Sequence, residues 1–179
     1  MSRISVPNVA NATGAVAEVY SQVKKATGGA VPNLFAAVGF LAPGVLGSYL
    51  NAEGALGAGT LGKKDLETIK LAVSELTGCD YCVAAHVMLG KMVGLAPETL
   101  KQIRGGQPTG DAKRDALVRF VRVVLQTSGT LPEAEVSAIK GAGYTDAELV
   151  EVSLAIALTI FTNTFNRIND TTLDMPRAD

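Results

Sequence analysis

The sequence predicts an all-α fold, and three observations carry that prediction. Apolar residues recur at helical spacing in most segments, glycine and proline mark the breaks between them, and no run alternates at period two for long enough to make a strand. Val16, Val19, Tyr20 and Val23 form the stripe of a first amphipathic helix, which Gly28-Gly29 ends. Pro32-Asn33 starts a short apolar segment around Leu34, Phe35 and Val38. Pro43 suits the first turn of a helix that runs towards Asn51 and fades at Gly57-Ala58-Gly59. Asp65 is the expected cap of a helix carrying Leu66, Ile69, Val73 and Leu76, with Thr77-Gly78 as its stop. The next helix begins near Cys79 and ends at Gly94, and Pro97 opens a short one towards Ile103. After the loop Gly105-Gly106-Gln107-Pro108, helices are expected at about 111–127, 132–141 and 146–168. Thr145-Asp146-Ala147-Glu148 begins the last of them with a capping-box pattern.

A chain of 179 residues suits a single domain over 1–179 with a substantial core. An acidic helix start (Asp65-Leu66-Glu67, then Asp146-Ala147-Glu148) precedes a helix run rich in small residues in both halves. The stretch 111–169 thus reads as a degenerate second copy of the core motif at 62–94. Hydrophobic residues make up 47% and charged residues 18%, and mean hydropathy is +0.26. That apolar balance points to surface buried between subunits. Sixteen basic residues against seventeen acidic ones leave a net charge of −1, so nucleic acid is not an expected partner. The opening residues MSRISVPNVANATG hold no apolar signal-peptide core, and the longest apolar stretch, Val152 to Phe161, is short of the roughly 20 residues that span a bilayer. A cytoplasmic protein without membrane attachment is the expectation.

Both cysteines and the single histidine fall within residues 78–86, GCDYCVAAH. Cys79, Cys82 and His86 are spaced by three and four, which on a helix puts them on one face with Cβ atoms roughly 5–6 Å apart. The Gly78 break makes Cys79 and Cys82 first-turn residues, where free backbone N–H groups and the helix dipole favour a thiolate. Lowering a thiol pKa by ~1.5 from ~8.5 half-ionises it at neutral pH, a differential stabilisation of about 2 kcal/mol. His86, one turn further on, can exchange a proton with the Cys82 thiol. If the helices either side of Leu76–Thr77 fold as an antiparallel hairpin, positions equidistant from the turn lie level. Glu67 then stands level with His86, ahead of Glu75 or Asp80 as the group that orients the imidazole.

Several chemistries fit these residues. Two buried small thiols are the plain structural alternative. Zinc is sharper, because Cys79, Cys82, His86 and Glu67 amount to four ligands. Against it, three of the four sit on one helix, and the chain has no other Cys or His to supply a second pair. A dithiol used for redox exchange or sensing, and an acid/base enzyme using Glu67 and His86 alone, complete the set.

The interval of twelve from Glu67 to Cys79, followed by C-x-x-C-x-x-x-H, resembles the active-site pattern of the alkylhydroperoxidase D (AhpD)-like proteins of the carboxymuconolactone decarboxylase family. The stretch GKKDLETIKLAVSELTGCDYCVAAHVMLGKMVG carries that signature. Val31-Pro32-Asn33-Leu34 and the closing FTNTFNRINDTTLDMP are similar to the peroxidase-related branch. The resemblance implies an all-α AhpD-like domain assembled as a trimer or hexamer. It implies a thiol peroxidase in which Cys82 attacks a hydroperoxide, Cys79, nearer the turn and the more exposed of the two, resolves the sulfenic acid to a Cys79–Cys82 disulfide, and His86 and Glu67 relay the proton. No metal or flavin cofactor is needed, and an external dithiol would reduce the disulfide. The best-known AhpD proteins have a histidine just before the peroxidatic cysteine. This chain has Tyr81 there, a possible substrate contact whose hydroxyl can donate a hydrogen bond but holds no proton charge at neutral pH. The decarboxylase branch generally lacks the cysteine pair, so muconolactone decarboxylation is not expected.

Overall fold

A computed structural model describes residues 1–178, which leaves Asp179, the last position of the expected domain, outside the described residues. The described residues hold a 3-10 turn at Val9–Asn11, nine α-helices and no strand. The helices are α1 (Gly14–Thr27), α2 (Asn33–Leu41), α3 (Pro43–Gly57), α4 (Lys63–Leu76), α5 (Asp80–Met92), α6 (Pro97–Gly105), α7 (Ala112–Gln126), α8 (Glu133–Gly141) and α9 (Asp146–Asn169). Their boundaries follow the punctuation of the sequence. Gly28 ends α1 in the left-handed conformation, and Thr145 and Glu148 form both halves of a capping box at α9. The expected cap at Asp65 is displaced. Gly62 caps α4, and Asp65 lies in the first turn, where its charge still favours the helix dipole.

α4 is the axis of the molecule and packs against α5, α6, α7 and α9. Every residue from Leu66 to Ser74 is buried, so this helix is enclosed on all sides and is not an ordinary amphipathic one. Ile69, Leu71, Ala72 and Val73 are fully enclosed among Leu100, Ile103, Leu117, Val121, Val152 and Ala155. Each fully buried aliphatic side chain of this kind contributes about 1.5–3 kcal/mol. α9 is long and apolar enough to cross a membrane by length and composition alone. In this fold it is a packing helix, laid against α3, α4 and α5 with Val152, Ala155 and Ile156 in the core.

A second apolar cluster joins α1, α2 and α3 to the start of α5. Val19, Tyr20, Val23, Leu34, Val38 and Leu46 surround Cys79, Tyr81 and Cys82. Two tight features set α5 in place. Gly78, at φ 66°, turns the chain between α4 and α5 in a conformation that side chains resist. A Cβ on Gly90 would lie 2.6 Å from Leu100, so that glycine admits α6 against α5.

Candidate active site

Cys79 is the N-cap of α5, not a residue of its first turn, and its Sγ accepts the Cys82 N–H at 3.3 Å. It takes the place that a Ser or Asp oxygen usually fills. The two sulfurs are joined as a disulfide across a Cα separation of 5.3 Å, within the range that such bonds span. Cys79 is 2% exposed and Cys82 3%, so neither sulfur is the more accessible, contrary to the expectation that the one nearer the turn would be. The cause is the chain end, which folds back over the turn.

That end is a strap. Asp170, in the left-handed region at φ 51°, stops α9, and the chain then runs back so that Leu173 and Met175 pack against the cluster holding the disulfide. Asp174 ties it down. One carboxylate oxygen accepts the Tyr81 hydroxyl at 2.8 Å, and the other accepts the Asn33 N–H at 2.7 Å. Asn33 is the first residue of α2, whose N-cap, Pro32, has no side chain to offer. Asp174 therefore caps α2 from 141 positions away. Tyr81, buried and bonded to this carboxylate, has its phenol pushed well above the ordinary tyrosine value, first by burial and then by Asp174. Its hydroxyl is thus held in the strap. A cleft of about 660 Å³ opens beside the strap and is lined by Cys79, Tyr81, Asn166, Arg167, Leu173 and Arg177 among others.

One turn along α5, Glu67 Oε2 of α4 lies 2.9 Å from His86 Nδ1. Nδ1–H donating to the carboxylate leaves Nε2 as the proton acceptor. Their side chains are 15% and 11% exposed for His86 and Glu67, more open than the sulfurs and able to pass protons to solvent. His86 follows Cys82 by one helical turn, so both rise from the same face of α5. The structure therefore gathers Cys79, Cys82, His86 and Glu67 on one hairpin. Glu75 points elsewhere, to Arg104.

Two further groups were not apparent from the sequence. The Asn166 side-chain amide of α9 donates to Cys82 Sγ at 3.2 Å. A buried polar pair lies along α4 and α3, where Lys70 meets Glu53 at 2.6 Å and Glu53 accepts the Tyr49 hydroxyl at 3.1 Å. Burial, then Glu53 and more weakly Glu67, hold the Tyr49 phenol well above its usual value. Tyr49 is ringed by Phe35 and Phe161, with centroids at 5.7 and 5.9 Å, while Phe40 stands apart and 39% exposed. No group of three or more His, Cys, Asp or Glu able to hold a metal ion occurs among the described residues.

Known proteins share this architecture. The chain is similar to a crystal structure of an alkylhydroperoxidase AhpD core, an uncharacterized peroxidase-related protein from Ralstonia eutropha JMP134. The identity is 23%, with 97% of this chain and 92% of that one covered at a TM-score of 0.82. An uncharacterized peroxidase-related protein from Silicibacter sp. TM1040 is 20% identical over 96% and 91%, with a TM-score of 0.78. The debrominase Bmp8 is 15% identical over 89% and 86%, with a TM-score of 0.73. No curated protein matches the chain in sequence. The fold is therefore the all-α AhpD-like one. Residues 43–117, from α3 into α7, match the sequence model of the carboxymuconolactone decarboxylase family. The matched segment contains Glu67, Cys79, Cys82 and His86, whereas Asn166 and Asp174 lie beyond it.

Proposed function

We propose that this protein is a thiol-dependent peroxidase that reduces hydroperoxides through Cys82. The observation that carries the reading is the Glu67–His86 pair set one helical turn behind the Cys79–Cys82 disulfide. His86 Nε2 takes the Cys82 proton, and Glu67 stabilises the imidazolium. The thiolate attacks the terminal oxygen of the hydroperoxide and the O–O bond breaks. The alkoxide leaves and is protonated by His86, so that Cys82 carries the sulfenic acid. Cys79 then attacks the Cys82 sulfur, water departs, and the disulfide forms. An external dithiol closes the cycle with two electrons and two protons.

Burial separates this reading from a general protein dithiol exchanger or redox sensor. With both cysteines 2–3% exposed beneath a strap, a bulky protein disulfide has no direct approach, whereas a small peroxide and a small dithiol fit a cleft of about 660 Å³ lined by Cys79 and by Asn166, the Cys82 neighbour. A homo-oligomer, trimeric or hexameric, belongs to the same proposal. Leu41, Val45, Met92, Val150 and Ile168 are apolar side chains 47–75% exposed, and light scattering would read the assembly directly.

Stopped-flow oxidation with mass spectrometry tests the reaction. Wild type should convert peroxide to alcohol and end as the intramolecular disulfide. Cys82→Ser should be inactive, and Cys79→Ser should stop at the sulfenic acid. A Cys82→Ser protein that retains dithiol-dependent turnover would falsify the assignment.

A further inference from the structure

α9 carries three buried asparagines at intervals of three, Asn163, Asn166 and Asn169, on the face turned to the core. Two of them are accounted for. Asn163 donates to Thr77 Oγ1 at 2.7 Å and Ser74 Oγ at 3.3 Å, and its oxygen lies 3.5 Å from the Ser74 hydroxyl. Asn169 accepts the Ile4 N–H at 2.8 Å and donates to Thr171 Oγ1 at 3.0 Å. Both knit elements together. Asn166 differs from them. It is 3% exposed, its Nδ2 donates to Cys82 Sγ at 3.2 Å, and its Oδ1 is fully enclosed without any hydrogen-bond partner. A buried amide satisfied on one side only, touching the reactive sulfur and lining the cleft at the disulfide, needs an explanation beyond packing.

We propose that Asn166 is a catalytic residue that stabilises the Cys82 thiolate through Nδ2–H and binds, through Oδ1, the O–H group that passes from hydroperoxide to sulfur. The second half rests on the peroxidase reading. Sulfur in a disulfide or neutral thiol is a weak acceptor, whereas a thiolate makes a charge-assisted bond, so the contact favours the ionised form selectively. The oxygen attacked in R–O–O–H carries the hydrogen, and after O–O cleavage that same O–H is the sulfenic acid on Cys82. An amide places its carbonyl oxygen beside its nitrogen. A group bound to Sγ on the carbonyl side of the Nδ2···Sγ contact therefore falls within reach of Oδ1, which lacks a donor in the disulfide form. The neutral amide does this without the proton charge of a second histidine, and Tyr81 is bonded to Asp174.

Cys79→Ser protein leaves Cys82 as the lone thiol, and its ionisation can be followed by ultraviolet thiolate absorbance and by the pH profile of iodoacetamide alkylation. Adding Asn166→Ala should raise the Cys82 pKa by about one unit. Asn166→Asp, which keeps the shape, should raise it further through like charge. Asn163→Ala, a buried amide on the same face, should leave it unmoved even if the protein melts lower. At a pH where every variant is ionised, Asn166→Ala should still react with an alkyl hydroperoxide about tenfold more slowly, reporting the carbonyl contact. Circular dichroism verifies folding, and Asn166→Asp decides the matter if the alanine variant is unfolded. A Cys82 pKa unchanged in both Asn166 variants overturns the thiolate half. Equal peroxide rates at full ionisation overturn the carbonyl half. A parent no faster than a free thiol towards peroxide overturns the peroxidase reading and the carbonyl half with it, while the titration still decides the other half.

Discussion

Helices α4 and α9 pack on one another, and each carries polar side chains into the interior. On α4 two are ionic, beside the neutral Thr68 and Ser74, whose hydroxyls donate to their own helix backbone. Glu67 and Lys70 are both buried, and each meets an ionisable partner, His86 and Glu53. On α9 they are neutral amides and hydroxyls, bonded to backbone, to Ser74 and Thr77, and to a sulfur. A buried charge is tolerated only with a countercharge or a proton to lose, while an amide needs only donors and acceptors. The contrast assigns two duties to one interface. α4 supplies charged groups, which on the proposed mechanism move or balance protons, and α9 supplies neutral groups that hold the α4–α5 hairpin and its sulfur.

Substitutions on the two helices should therefore fail in different ways. The largest effect is expected from Glu67→Gln, which keeps the shape but removes the charge behind His86. Peroxide turnover at neutral pH should fall about 10²–10⁴-fold with the melting temperature little changed, as read by kinetics and calorimetry on one sample. Lys70→Met should do the reverse. It strands Glu53 beside Tyr49 and should cost on the order of 3 kcal/mol in denaturant unfolding, the low end for a buried pair because Glu53 keeps 22% of its side chain exposed. Equal losses of stability in both variants would erase the proposed division within α4.

On α9, Asn163→Ala leaves Thr77 and Ser74 short of a partner and should cost about 1–3 kcal/mol. Asp174→Ala sharpens the role of the strap that α9 leads into. It removes two hydrogen bonds, costs about 1–2 kcal/mol, and should speed reduction of the Cys79–Cys82 bond by a small dithiol. An unchanged reduction rate would mean that the strap does not guard the disulfide. The smallest effect concerns Glu151, near the start of α9. The backbone N–H groups of Thr60 and then Leu61 hold its carboxyl below the usual carboxylate range. A depressed folded value contributes stability above the unfolded pKa and loses it as pH falls. Wild type should therefore melt slightly above Glu151→Ala at neutral pH, and the gap should close in acid.

Much of this arrangement was legible before any coordinates. Thr145 with Glu148 announced α9, Gly28 and Gly78 announced the ends of α1 and α4, and the turn at Leu76–Thr77 set Glu67 level with His86. These are local facts, fixed by spacing along one helix or across one short turn. Asp65 misled as a cap because an acidic residue suits the first turn as well as the cap, and only the backbone distinguishes them. The burial of Cys79 is not legible in the sequence because the residues that cover it, Leu173 to Met175, lie more than ninety positions away.

The chain alone thus determined that it is helical, where most helices start and stop, and which four side chains share one hairpin, because periodicity and capping act over a few residues. Tertiary structure alone decided that α4 is enclosed on every side, that Asp174 caps α2 and holds Tyr81, and that Asn166 touches the Cys82 sulfur. Those contacts join residues 84 to 141 positions apart, and no local preference encodes them. They exist because burying two apolar clusters brings α9 and the chain end against the start of α5.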